Sequence, residues 1–306
     1  VPPPFVDEAA LRAGLSLRVV IDALEATFGA DQLPSAPQRQ HLDVGNGSLL
    51  FMPAWSELAA GVKLVTVNPD NLERGLPFVN GVYVLFDRET LAPSALFDGA
   101  ALTGMRTAAV SGLATRFLAR PDATRLVIFG AGTQARWHLE AMRTERDIEH
   151  VTVVARTEQS ARVFVENVTD LDAEVGAPGA VATADVVCTC TTSKEPVFDG
   201  SLLSPGTHVN SVGAYEPGAR ELDATAVARA RLVVELREPA LQEAGDILLA
   251  IEEGAVTADH IVADLRQVVR AEVPARRGGD DITVFKSVGV AFEDLAVAAA
   301  WFDARG

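Results

Sequence analysis

Residues 125–142 read RLVIFGAGTQARWHLEAM, and the reading of this stretch decides the fold. Leu126 to Phe129 form an apolar run typical of a buried strand. The run ends on Gly130, and from Gln134 the apolar residues fall at helical spacing. "GAGTQA" puts Gly130, Gly132 and Ala135 in the G-x-G-x-x-A form of the dinucleotide fingerprint, with Ala131, Thr133 and Gln134 completing the loop. Gly130 permits the tight turn out of the strand. Gly132 lets the backbone approach a pyrophosphate, and Ala135 lets the helix sit close to the strand. The helix N-terminus then offers free N–H groups and the positive end of its dipole to the phosphates.

A glycine pattern alone is weak, so its context matters. "HVTVVA" (150–155) reads as a second strand, and a helix near 157–167 follows. "ADVVCTCTT", "GTHVNSVG" and "ARLVVEL" read as three more strands. Strands alternating with helices predict an α/β fold, a Rossmann doubly wound parallel sheet. The stretch 169–184 is short for a full strand-and-helix passage, so the sheet is expected to be trimmed there. Upstream, residues 7–30 read as one helix ending on Gly29. "GSLLFMPAW", "GVKLVTV" and "GVYVLFD" read as strands of one sheet, and residues 98–119 as a long helix stopped by Pro121. The last helix, 289–304, is too apolar for a tail and is expected to pack back on the first domain. The domains are therefore expected at 1–120, completed by 290–306, and at 121–289.

The residues after the second strand bear on which nucleotide binds. An NAD site normally has a carboxylate there for the ribose 2′-hydroxyl. Here Ala155 is followed by Arg156 and Thr157, and the first carboxylate, Glu158, falls in the next turn. Arg156 can pair with a 2′-phosphate and Thr157 can donate to it, so NADP(H) is the expected cofactor.

The chain has 306 residues, 48% hydrophobic and 22% charged, with a net charge of −16. That charge argues against nucleic acid and against anionic membranes as partners. No apolar run approaches the roughly 20 residues that span a bilayer. The opening "VPPPFVDEAALRAGL" has no basic segment leading into an apolar one. The two cysteines, Cys188 and Cys190, lie two apart on one strand and so share a face, a geometry that disfavours a mutual disulfide. A cytoplasmic location is expected. None of His41, His138, His150, His208 and His260 has metal-ligand spacing to another, so no metal site is expected.

Three cations of the first domain stand in structured surroundings: Arg39 in "APQRQHLD", Lys63 in "GVKLV" and Arg106 in "LTGMRTAA". Singly, each is more often a solvated or salt-bridged side chain, and spacing does not show that they converge. Lysine occurs only at 63, 194 and 286, and unlike arginine it can lose its proton when desolvated.

"GVKLVTVNPDN", "GVYVLFDRETLAPSALFDGAALTGMRTAA", "IFGAGTQA", "HVNSVGAYEPGARELD" and "FKSVGVAFEDLA" occur in the order of the ornithine cyclodeaminase/mu-crystallin family, which the chain resembles over nearly its whole length. The resemblance implies a homodimer built from a split α+β substrate and dimerisation domain and a Rossmann domain. It places Arg39, Lys63 and Arg106 where the family holds a substrate α-carboxylate, which suits the bidentate geometry of guanidinium groups. It places Thr107, Thr191, Val212, Gly213, Ser287 and Val288 around the nicotinamide and its ribose. The chain departs from the cyclodeaminase pattern at two positions. Tyr215 stands where that pattern has an Asp, and Ala219 where it has a Lys. A phenol with a pKa near ~10 does not replace a carboxylate as a base at neutral pH, although Tyr215 can pack over a ring or donate a hydrogen bond.

The expected activity is NADPH-dependent reduction of a cyclic imino acid, Δ1-pyrroline-2-carboxylate or Δ1-piperideine-2-carboxylate, to proline or pipecolate. Arg39 and Arg106 would hold the carboxylate and Lys63 would deliver the proton. The alternatives are an ornithine cyclodeaminase or alanine dehydrogenase type of enzyme using NAD, and a non-enzymatic NADPH-dependent binding protein.

Overall fold

The computed structural model describes residues 2–71 and 73–304; positions 1, 72, 305 and 306 of the expected first domain lie outside them. In chain order the elements are β1 (Phe5–Val6), α1 (Glu8–Gly14), α2 (Leu17–Gly29), β2 (Gln40–Asp43), β3 (Ser48–Trp55), β4 (Ala59–Val67), β5 (Val79–Asp87), β6 (Pro93–Asp98) and α3 (Gly99–Leu118). They continue with β7 (Arg125–Phe129), α4 (Thr133–Glu145), β8 (His150–Val154), α5 (Glu158–Glu166), β9 (Asp172–Val175), β10 (Val186–Thr189), β11 (His208–Ser211), α6 (Ala224–Arg229) and β12 (Arg231–Val234). The chain closes with α7 (Arg237–Glu243), α8 (Gly245–Glu252), β13 (Ile261–Asp264), α9 (Leu265–Val269), β14 (Thr283–Lys286) and α10 (Ala291–Asp303).

Contacts divide the chain into two compact units, residues 1–106 with 290–306, and residues 107–289. This division falls inside α3, earlier than the 120/121 boundary read from the sequence. The C-terminal half of α3 packs within the second unit. Thr115 Oγ1 donates to Met142 Sδ at 3.2 Å and accepts from Asn210 Nδ2 at 2.9 Å.

The first unit is built on a six-stranded sheet in the order β1-β6-β5-β4-β3-β2, antiparallel except for the β1–β6 pair. Alternation along the strands follows the period of two. Leu50, Met52, Val65, Tyr83 and Leu85 are buried, and Lys63 stands in the same inward row. α10 packs against β3, β4, β5 and α2, as its apolar sequence requires. The stretch 7–30 is two helices, not one. Leu15 and Ser16 are extended, and the Ser16 side chain accepts from Val19 N as the N-cap of α2. Gly14, at the end of α1, leaves room for α10: a Cβ there would lie 2.5 Å from the Trp301 indole nitrogen.

The second unit is an all-parallel, eight-stranded sheet in the order β13-β12-β14-β11-β10-β7-β8-β9, with the reversal of strand order between β7 and β10. The fold is therefore α/β, a Rossmann doubly wound sheet joined to a split α+β unit. The stretch 169–184 holds only the edge strand β9 and one 3-10 segment, so no full helix follows β9 there. β13 and β14 escaped the sequence reading, and β14 enters the middle of the sheet between β11 and β12. Cys190 lies just past the end of β10, not within it. Both thiols are free, and burial pushes the Cys188 thiol up to about 12.

Candidate active site

The glycine loop begins where β7 ends. Gly130 has φ +108°, and a Cβ there would lie 2.6 Å from the Cys190 carbonyl oxygen, so only glycine fits. Its N–H donates to Val154 O at 2.8 Å, which ties the loop to β8. Gly132 is the N-cap of α4. It supplies no capping side chain, and the space a Cβ would occupy is open to 4 Å. Ala131 and Gln134 are half-buried and Thr133 is exposed, while Ala135 is fully buried against the sheet. Uncapped amides at the start of a 13-residue helix, facing open space, are able to hold an anion.

Beyond β8, Arg156 is exposed and has no hydrogen bond or ion pair among the described residues. Thr157 is the N-cap of α5, accepting from Ser160 N at 3.2 Å. Glu158 is exposed and paired with Arg162. The unpaired charge at this strand end is therefore cationic.

On the other side of the strand switch, the loops after β10, β11 and β14 are each held by a buried carboxylate. Thr191 N and Oγ1 both donate to Glu221 Oε1 at 2.7 Å, and Gly213 N donates to Glu221 Oε2 at 2.7 Å. Val212 N donates to Thr189 O at 3.1 Å. Ser287 Oγ donates to Glu235 Oε1 at 2.5 Å, and Val288 N and Gly289 N donate to Oε2 at 3.0 and 2.7 Å. Thr107 Oγ1 is buried with no partner among the described residues. Open helix amides, an orphaned hydroxyl and glycines at the close approaches fit a dinucleotide at the C-terminal ends of the strands.

In the first unit, two of the three predicted cations converge on acids that the sequence reading missed. Lys63 Nζ, on β4, lies 2.8 and 3.0 Å from the two carboxylate oxygens of Asp294 and donates to Thr103 Oγ1 at 3.2 Å. Arg106 Nη1, on α3, donates to Glu293 Oε2 at 2.9 Å, and its Nε lies 3.5 Å from Asp294 Oδ1. Glu293 and Asp294 are fully buried in the first turn of α10. Arg39 is half-buried just before β2, and its charge acts on Lys63. Burial brings the Lys63 pKa down to about 8; Arg106 and Arg39 also lower it, and Asp294 raises it. Tyr83, opposite Lys63 in the β4–β5 register, is also buried, and its hydroxyl has no partner among the described residues. The signal for the acids was present: an adjacent Glu-Asp pair inside an otherwise apolar helix.

Tyr215 lies in the loop after β11. It belongs to the second unit, half-buried against that unit's apolar core. His138 and His208 are buried with pKa values lowered by burial to about 4 and about 3, so both are neutral.

The sequence pattern of the ornithine cyclodeaminase/mu-crystallin family matches residues 8–304. A Δ1-pyrroline-2-carboxylate reductase of Bacillus cereus is 40% identical over 275 residues, covering 86% of this chain and 83% of its own. The structure of Thermococcus litoralis Δ1-pyrroline-2-carboxylate reductase in complex with NADH and L-proline superposes with a TM-score of 0.93 at 35% identity, covering 98% and 97% of the two chains. An archaeal alanine dehydrogenase dimer with bound NAD superposes with a TM-score of 0.92 at 31% identity, over 99% and 95%.

Proposed function

The chain belongs to the ornithine cyclodeaminase/mu-crystallin family, and we propose that it is an NADPH-dependent reductase of a cyclic imino acid, forming proline from Δ1-pyrroline-2-carboxylate or pipecolate from Δ1-piperideine-2-carboxylate. The observation that carries this reading is the buried cluster of Lys63 and Arg106 with Asp294 and Glu293. The relatives that reduce the five-membered imine support the substrate class.

Each residue has a task. Arg106 and Arg39 hold the substrate carboxylate. Arg106 is already oriented by Glu293, and that preorganisation is where positional catalysis comes from. Lys63 holds the proton. With its pKa near 8 it is charged at neutral pH, yet it gives up the proton more readily than a solvated lysine. Asp294 keeps the ammonium in place. Reduction of the C=N bond adds a hydride to carbon and a proton to nitrogen, and Lys63 or a water ordered by it supplies that proton. A bound nicotinamide cofactor supplies the hydride. Its phosphates would be held by Gly130, Ala131, Gly132, Thr133 and Gln134, and its nicotinamide half by Thr107, Thr191, Val212, Gly213, Ser287 and Val288.

The choice of NADPH is supported by the exposed, unpartnered Arg156 after β8, although the related structures hold NADH or NAD. A homodimer is supported by the half-buried outer row Phe51, Val62, Leu64, Val82, Val84 and Phe86 of the first unit's sheet, and by the dimeric alanine dehydrogenase relative. No described helix is long and apolar enough to cross a membrane. Two free thiols fit the reducing cytoplasm.

The test is a screen of NADPH oxidation over cyclic ketimines and over pyruvate with ammonia or amines, run in parallel with NADH. Turnover of a five- or six-membered cyclic ketimine is expected. Turnover of pyruvate with ammonia alone moves the assignment to an alanine dehydrogenase, and release of ammonia from ornithine moves it to a cyclodeaminase. No oxidation of either cofactor, with binding intact, leaves a binding protein.

A further inference from the structure

The buried charges of the second unit do not balance. Among its described residues Glu221, Glu235 and Asp246 are buried carboxylates, and Lys286 is the single buried cation. Glu221 lies in the loop after β11, Glu235 directly follows β12, Asp246 is in the first turn of α8, and Lys286 ends β14. Lys286 Nζ lies 2.5 Å from Asp246 Oδ2 and donates to Ser211 Oγ at 3.3 Å. Asp246 Oδ1 accepts from Glu221 N and Leu222 N at 2.7 and 2.8 Å. The Glu221 carboxylate takes four donors: Thr191 N, Thr191 Oγ1, Thr189 Oγ1 and Gly213 N.

A carboxylate meets all four donors, whereas an amide NH2 group would face Thr191 N or Gly213 N with no acceptor. A buried carboxylate is costly unless its charge does something. Burial and the neighbouring Asp246 raise the pKa of Glu221, while Lys286 and the Thr191 hydrogen bonds oppose that. Both oxygens accept an N–H group and a hydroxyl, an arrangement that favours the ionised form. Neither Glu221 nor Glu235 makes an ion pair with a cation among the described residues. The strand ends therefore carry a surplus of buried negative charge.

In a doubly wound sheet a dinucleotide crosses the strand ends at the switch point. With the pyrophosphate at the β7 loop, the nicotinamide half falls to the β10 and β11 side. An oxidised nicotinamide ring is cationic and a reduced one is neutral. We propose that Glu221 is a positioning residue that holds Thr191 and Gly213 against the nicotinamide and, with Glu235, supplies buried negative charge favouring the oxidised ring. Such charge stabilises the positive charge that develops on the ring as hydride leaves. This rests on the dinucleotide reading above.

The experiment compares the whole protein with Glu221→Gln, an amide of the same size. Calorimetry measures the Kd of NADP+, of NADPH and of 2′-phospho-ADP-ribose, which lacks the nicotinamide; NAD+ and NADH give the same ratio if the unphosphorylated pair is preferred. The fragment is expected to bind within about twofold of wild type, and the oxidised dinucleotide to lose about tenfold more affinity than the reduced one. Equal losses for both redox forms, or an equal loss for the fragment, overturn the proposal. Wild type that binds none of these ligands overturns the dinucleotide reading itself. Glu235→Gln must shift the same ratio in the same direction, which keeps the test decisive if Glu221→Gln does not fold; an unchanged ratio there overturns the proposal.

Discussion

Lys63 is the residue on which the chemistry turns. Its side chain is on the inward face of a sheet, where a lone ammonium would be expelled, and the Asp294 carboxylate makes it tenable. Replacing it with Met removes charge and proton but keeps bulk. Steady-state kinetics of Lys63→Met should show kcat at least about 100-fold lower. The dissociation constant for NADPH should stay within about twofold. Unchanged turnover would remove Lys63 from the mechanism. In the wild type, kcat should fall as pH rises through about 8, where the ammonium loses its proton. The stability term runs the other way. The folded pKa lies below the unfolded value of 10.5, so between pH 8 and 10.5 the unfolded chain binds more protons, and stability from this group rises with pH. Arg156 is the matching residue for the cofactor. Arg156→Ala should weaken NADPH binding by about 10- to 100-fold through loss of a charge-assisted bond. NADH binding should barely move. Equal effects on both would return the choice of cofactor to other residues.

At the scale of elements, the β7–α4 turn is the most constrained part of the molecule. Gly130 combines a positive φ with a 2.6 Å approach to the Cys190 carbonyl, so Gly130→Ala meets both a backbone penalty and a clash. Urea unfolding should show a loss of about 2 kcal/mol or more. Cofactor affinity should drop with it, because the amides of α4 shift. This turn was legible in the sequence because its constraints are local to a few consecutive residues. The break between α1 and α2 was also written locally, in Gly14 and the cap at Ser16, but the unbroken apolar spacing masked it. β14 was harder to see. Four residues carry no period of their own, and their place between β11 and β12 depends on partners about 50 to 75 residues away in sequence.

The whole molecule stores two histidines in neutral form. His138 and His208 have folded pKa values of about 4 and about 3 against 6.5 when unfolded. As pH falls below 6.5 the unfolded chain takes up protons that the folded chain refuses, so stability falls towards pH 4. Each excess proton changes stability by about 1.4 kcal/mol per pH unit, and two double that. Urea midpoints at pH 7, 6 and 5 should decline steadily. A flat series would mean that these rings are accessible to protons in the folded state.

The chain by itself determined the doubly wound sheet, the glycine loop and the cation after the second strand. It also determined the family, because these features are carried by contiguous residues and their order. It singled out Arg39, Lys63 and Arg106 as cations in structured surroundings. Only the tertiary structure decided what those cations face. Glu221, Glu235 and Asp246 look like any of the 42 acids in a chain of net charge −16, and the adjacency of Glu293 and Asp294 in an apolar stretch does not show which cations they meet. Burial against distant strands is what turns five of them into fixed charges, and burial is a property of the folded chain, absent from the order of its residues.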